Sequence, residues 1–233
     1  MASSRKTFIE GIGEVTLARR RGNRHMRLSI SPAGQVRVSL PLWAPYSLAL
    51  AFLQERLAWI ERHRPPAGPL LKSGMPIGRH YQLLFIPTSS STVRTRLNGS
   101  FIQISSGLDF ASPAAQVRIV QAAERALKNE ALEDLPPRTR QLAQAHGFKY
   151  RSLKIKRLTS RWGSCSSRGE ISLSFYLVQL PPELVDYVIL HELLHTKLMQ
   201  HGPKFWATMA ELDPRTPSHR HTLKRWRPHL LIQ

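Results

Sequence analysis

Short runs of alternating apolar and polar positions fill most of the first hundred residues. Val15-Thr-Leu17, Met26-Arg-Leu-Ser-Ile30 and Val36-Arg-Val-Ser-Leu40 each put every second side chain on one face, as half-buried strands do. Pro32-Ala-Gly-Gln35 predicts a turn between the last two. Behind Pro45 the period changes. Leu48, Ala51, Phe52, Leu53, Leu57 and Ile60 trace a wide apolar face on a helix from Tyr46 to about His63, with Trp59 as a core residue. Arg64-Pro-Pro-Ala-Gly-Pro69 is the strongest breaker in the chain and a candidate subdomain boundary. Alternation resumes at Tyr81–Ile86, Val93–Leu97 and Phe101–Ile104, with turns at Ser89–Ser91 and at Asn98-Gly99, a hairpin signal.

Beyond Pro113 the pattern turns helical. Val117, Val120, Ala123, Ala126, Leu127 and Leu132 predict a helix to about Asp134, which Pro136-Pro137 interrupts before a second helix ends near Gly147. Leu153–Leu158 and Gly169–Phe175 alternate as strands around a tight loop, Arg161-Trp-Gly-Ser-Cys165, and Tyr176–Leu180 leads into a further helix opened by Pro181-Pro182-Glu183. The fold class is therefore α+β. A mostly antiparallel β unit with one helix is expected over residues 1–105, and a helix-rich lobe over 112–233. No internal repeat and no long low-complexity segment is visible in the sequence.

The chemistry concentrates in Val188-Ile-Leu-His-Glu-Leu-Leu-His-Thr-Lys-Leu-Met-Gln-His201. On a helix, His191 and His195 project from one face about a turn apart, so their imidazoles can take two corners of a tetrahedral zinc site. Glu192 points roughly 100° around the helix, beside the metal, where it can take a proton from a zinc-bound water, as in H-E-x-x-H hydrolases. The alternative is a helix that carries two surface histidines. It fits poorly, because Leu190, Leu193 and Leu194 bury the helix and buried histidines need partners. A third ligand must come from elsewhere if one position is to stay open. His201, six residues past His195, is the first candidate, since a ligand on the turn leaving the helix needs little loop ordering. Glu211 and Asp213, and more remotely His219 and His221, are the alternatives. Where metzincins carry a glycine three residues after the second His, this chain has Leu198, so Gly202-Pro203 is the expected end of the helix.

Arg161-Trp-Gly-Ser-Cys165, the run from Leu180 to His195, and His201-Gly-Pro-Lys-Phe-Trp206 resemble the YgjP-like metallopeptidase domain family, a more distant relative of SprT-like and WLM-type zinc proteases. The resemblance is strong from about Ser152 onward and extends in outline over nearly the whole chain. It implies a zincin-like core, one Zn²⁺ per chain held by His191, His195 and His201, Glu192 as catalytic base, and a peptide or protein substrate. Ser174 stands where that family usually has Asn, and Leu194 where a small residue or Cys is common; neither belongs to the ligand set.

Composition adds one unusual feature. The chain has 34 Lys+Arg against 15 Asp+Glu, a formal charge of +19. Such a charge attracts nucleotides or nucleic acid through phosphate, or simply solvates the surface, as in the Arg19–Arg24 cluster and the basic tail of Arg215, Arg220, Lys224, Arg225 and Arg227. A zinc-dependent nucleotide phosphoanhydride hydrolase and a nucleic-acid-associated SprT-like protease module are accordingly the rival readings, though no DNA-reading motif is present. A single cysteine excludes an intramolecular disulfide, and with no secretory signal and no apolar run of spanning length the expected location is the cytoplasm, with no membrane partner. Cys165 is read as a buried or redox-inert thiol rather than a fourth thiolate ligand. Arg161 is a candidate substrate clamp, or an arginine stacked on Trp162. Phe205 and Trp206 are read as packing beneath the site, and Tyr187 as a residue that orients His191 or packs against it. For an oxyanion stabiliser, His219, His221, Tyr176 and Arg161 are the candidates.

Overall fold

The computed structural model describes residues 4–9, 12–30, 35–63, 70–226, 228 and 230. The turn expected at 32–34, the breaker cluster at 64–69 and Arg227 lie outside the described residues. By its internal contacts the chain divides into two units, Met1–Gly68 and Pro69–Gln233.

In the first unit, strands β1 (Ser4–Ile9), β2 (Gly13–Arg19), β3 (Arg27–Ile30) and β4 (Val36–Leu40) form one sheet in the order β1-β2-β4-β3. The two outer pairs are antiparallel and the central β2–β4 pair is parallel. Alternation places Val15, Leu17, Val36, Val38 and Leu40 on one buried face. The helix expected over 46–63 is two helices, α1 (Tyr46–Gln54) and α2 (Leu57–His63), separated at Glu55-Arg56. Their buried stripe is narrow, limited to Ala49, Leu53 and Ile60, while Leu48 and Ala51 are exposed. Trp59 packs against this core and stacks on His63. Of the basic cluster, Arg19 is used internally: its Nε donates to Ala44 O at 3.1 Å and its guanidinium lies over the Tyr46 ring.

The second unit opens with β5 (Pro76–Ile77), β6 (Tyr81–Pro87), β7 (Arg94–Asn98) and β8 (Phe101–Ser106), ordered β5-β6-β8-β7. Again the outer pairs are antiparallel and the central one parallel. The two sheets thus share one connectivity, a structural repeat that the sequence alone does not reveal. These strands group with the C-terminal lobe and not with the first sheet, so the division falls before them and not at 105–112. The reason is apolar burial. Leu71, Ile77, Leu83, Ile102 and Ile104 share a continuous core with Ile119, Ala122, Ala126 and Leu127 of the following helix.

That helix, α3 (Pro113–Ala145), is capped by Ser112 Oγ, which accepts from Ala115 N, and it runs unbroken through Pro136-Pro137. A proline inside a helix costs about 3 kcal/mol. Here, Leu135, Thr139, Leu142 and Ala143 are buried on either side of the pair, and their packing holds the helix together. Glu133 and Leu132, four residues before the prolines, are exposed, so water can reach the carbonyls that lose their donors. Val117 and Leu132, expected on the apolar face, are exposed; small residues such as Ala115, Ala122, Ala123 and Ala126 take the buried positions, next to Ile119 and Leu127.

Three strands follow, β9 (Ser152–Lys156), β10 (Gly163–Cys165) and β11 (Glu170–Ser174), in the order β10-β11-β9. The expected loop at 161–165 therefore ends in a strand, antiparallel to β11 and at the sheet edge. A 3-10 turn (Phe175–Gln179) leads to α4 (Pro182–Leu194), then α5 (Pro203–Leu212) and α6 (Thr216–Arg225). Arg138 on α3 grips Asp186 on α4 through both guanidinium edges, one bond being Nε to Oδ1 at 2.6 Å. Among the described residues, no helix is long and apolar enough to cross a membrane.

Candidate metal centre

Helix α4 is buried along most of its length, with Leu184, Val185, Val188, Ile189, Leu190, Leu193 and Leu194 in the core. It ends at His195 without a glycine, seven residues before Gly202. Two local bonds make that end possible: Thr196 Oγ1 donates to Leu193 O at 2.7 Å, and Leu198 N to Leu194 O at 2.9 Å. The chain then turns back, which brings His201 over the first histidine: Nε2 of His201 lies 2.9 Å from Nε2 of His191. Nitrogens of His191, His195 and His201 all fall within 4.8 Å of one another.

Each ring is held. His195 Nδ1 lies 3.1 Å from Leu198 O, so it carries the proton for that bond and leaves Nε2 as the lone-pair atom. Phe205, fully buried at the start of α5, meets all three imidazoles at centroid distances of 4.7–5.0 Å. Trp206 stacks on His201 at 5.4 Å, and its Nε1 donates to His201 O at 3.0 Å. Burial is the largest cause lowering the His191 pKa, to about 3, and the same cause lowers His195, so both rings are neutral at ordinary pH. Neutral imidazoles converging on one point suit a metal ion of borderline softness.

Glu192 lies beneath this cluster, 6 % exposed. Its Oε2 is buried without a hydrogen-bond partner, and burial raises its pKa to about 8, with Arg161 pulling the other way. The carboxyl reaches its position because β10 approaches with no side chain at Gly163: a Cβ there would lie 2.6 Å from Glu192 Cγ and 2.7 Å from Oε1. Sequence reasoning missed this glycine. The signal was a glycine inside a short strand, which marks a close approach of backbone to another group.

The other candidates resolve by position. Glu211 and His221 are exposed on α5 and α6, and Asp213 pairs with His219 (Oδ2 to Nδ1, 2.6 Å), so none of the four joins the converging nitrogens. Tyr176 is buried and donates its hydroxyl to Glu124, which also pairs with Arg157. Tyr187 stands between His191 and His219, at centroid distances of 6.2 and 5.7 Å. The Cys165 thiol contacts Ser166 O, and burial, then Glu192, raises its pKa; it is not among the converging ligand atoms. Ser174 donates to Leu158 O at 2.9 Å, and Leu194 is core. Arg161 is exposed at the mouth and is not stacked on Trp162. The arginine that does stack on a tryptophan is Arg220, 4.2 Å over Trp206. A cleft of about 540 Å³ is lined by the three histidines and Glu192, by the residues of β10 and by Arg220, Leu223 and Lys224 of α6.

The second gathering of ligand-type side chains among the described residues is His80, Glu130 and Asp134. It has a structural explanation: Glu130 Oε1 accepts Arg79 N at 3.0 Å, and the carboxylate fills the space beside Gly78, where a Cβ would meet Glu130 and Leu127 side-chain atoms closer than 3 Å.

A search of curated proteins finds no match. Among solved structures, the metallopeptidase zymogen jannalysin of Methanocaldococcus jannaschii aligns at 22 % identity over 40 % of this chain and 95 % of its own, with a TM-score of 0.36. The abylysin zymogen of Pyrococcus abyssi aligns at 21 % identity over 35 % and 90 %, with a TM-score of 0.30. The profile of the YgjP-like metallopeptidase domain matches residues 24–226, which spans all three histidines, Glu192 and Gly163, and the chain belongs to that family.

Proposed function

We propose that this protein is a zinc-dependent peptide hydrolase in which His191, His195 and His201 hold the ion and Glu192 is the general base. One observation carries the proposal: a carboxyl oxygen, Glu192 Oε2, is buried without a partner in the same cleft as three converging imidazoles. Burying a carboxyl oxygen unpaired costs about 1–3 kcal/mol, a cost that makes sense if a reacting group satisfies it. The residues fit zinc, since two to four nitrogen ligands from a helix and the turn after it are typical of its sites. A bound zinc ion would supply Lewis acidity, polarising a carbonyl and lowering the pKa of water.

The chain's own groups do the rest. Glu192 takes a proton from the attacking water at Oε2 and returns it to the departing amine, a role that suits a buried carboxyl oxygen with no other partner. Gly163 and the surrounding core fix the angle of that carboxyl. Phe205 and Trp206 prevent His201 from rotating away. Strand β10, unpaired on its outer side, offers main-chain groups to an extended peptide entering the cleft.

The test is Glu192→Gln, which keeps the shape and removes the base. Turnover of an unfolded protein substrate should fall by about 10²–10⁴-fold, while zinc content by elemental analysis stays at the wild-type level. Activity within threefold of wild type would rule out the assigned role.

A further inference from the structure

Three cations line the cleft beside the histidines: Arg161, just before β10, and Arg220 and Lys224, a helical turn apart on α6. The carboxyl lining the cleft is Glu192, which is buried at its base. Among the described residues, none of the three cations makes an ion pair, although Arg138 and Arg157 in the same unit are each matched to an acid. Unpaired cations on a basic protein are common. A fixed one in a cleft is not. Arg220 is held flat over Trp206 at 4.2 Å, and Trp206 is itself stacked on His201 and bonded to its carbonyl. The guanidinium is thereby positioned close to a proposed metal ligand, and among the described residues its N–H groups have no hydrogen-bond acceptor. The lining also includes the apolar side chains of Leu223 and Met199.

We infer that the cleft selects peptides carrying a carboxylate next to the scissile bond, bound by Arg220 with Lys224 and Arg161 in support; this rests on the peptide-hydrolase reading above. The carboxylate can be an Asp or Glu side chain or a free C-terminus, since both present the same two oxygens to a guanidinium fork. The apolar lining from Leu223 and Met199 favours a peptide, whose neighbouring side chains are often apolar, over a polynucleotide, which carries a phosphate at every step.

The experiment measures binding and cleavage separately. Zinc-loaded Glu192→Gln protein is titrated calorimetrically with a peptide containing Glu, its Gln counterpart, and C-terminally amidated forms of both; wild-type protein is assayed for cleavage of the same set. A carboxylate should tighten binding about tenfold to a hundredfold, as expected for charge-assisted hydrogen bonds. Adding Arg220→Gln should reduce that ratio to below threefold, and Arg220→Lys, which keeps the charge and loses the fork, should retain part of it. Loss of preference on amidation identifies the C-terminus; loss on Glu-to-Gln replacement identifies the side chain. Equal binding of all four peptides overturns the inference, as does a preference untouched by Arg220→Gln. A single-stranded oligonucleotide that displaces the acidic peptide at lower concentration than the peptide itself also overturns it and assigns the rim to phosphate. If the acidic preference in binding holds while wild-type protein cleaves none of the peptides, the hydrolase reading fails and the carboxylate site stands.

Discussion

Gly163→Ala adds one methyl group where the structure has no room for it. The new Cβ would meet Glu192 at 2.6 Å (Cγ), 2.7 Å (Oε1) and 2.9 Å (Cδ), against an ordinary contact of about 3.5–4.0 Å. Something must move by roughly 1 Å. The backbone of β10 is tied to β11 by paired strands, and Glu192 is packed on the core side of α4, so neither gives freely. Overpacking of this kind costs about 1–3 kcal/mol. For a domain of this size that lowers Tm by about 2–4 °C per kcal/mol. Misplacing a general base by about 1 Å costs on the order of 10²-fold in rate, or about 2.7 kcal/mol of transition-state stabilisation. The expected outcome is a protein that folds, holds zinc, melts several degrees lower and has kcat/KM reduced about a hundredfold. Steady-state kinetics on a fluorogenic peptide, elemental analysis and calorimetric melting provide the three readouts. Wild-type kcat/KM in a folded Gly163→Ala variant would refute the claim that this glycine sets the position of the carboxyl.

Further outcomes follow from the same geometry. His201→Ala should lower zinc affinity by at least tenfold in a chelator competition, because it removes one of three ligands; unchanged affinity would send the search for the third ligand back to α6. Trp206→Leu should also weaken zinc binding, less than His201→Ala does, since it removes the stack and the bond to the His201 carbonyl but no ligand atom. Glu130 has its pKa raised, chiefly by burial. The folded state thus prefers the protonated form, and its contribution is present below the unfolded carboxyl pKa and lost as pH rises through the folded one. Glu130→Gln, which can still accept from Arg79 N, should therefore gain stability relative to wild type as pH is raised above about 4.5. A difference in urea-unfolding free energy that stays flat from acid to neutral pH would contradict this.

The active face was readable in the chain because it is local. His191, Glu192 and His195 lie within a single helical turn and a half, where spacing alone fixes direction, and His201 is only six residues further on. Strand alternation was equally plain, since period two survives any arrangement of the strands. Where elements meet, the pattern carried less. Two sheets with the same connectivity went unseen because their sequences share little beyond alternation, and pairing partners are set by burial over long separations. Pro136-Pro137 looked like a stop; core packing on both sides of it outweighs the lost donors, and only the folded neighbours supply that packing. Gly163 and Arg220 lie 29 residues before and after Glu192 and His191, respectively (192 − 163 and 220 − 191), so no local period links them to the site. The sequence by itself determined the candidate ligands and the class of most elements, because propensity, period and ligand spacing act over one or two turns. Tertiary structure decided which strands belong together, how closely β10 approaches the carboxyl and which cations face the cleft, because steric exclusion and charge act through space between residues far apart in the chain.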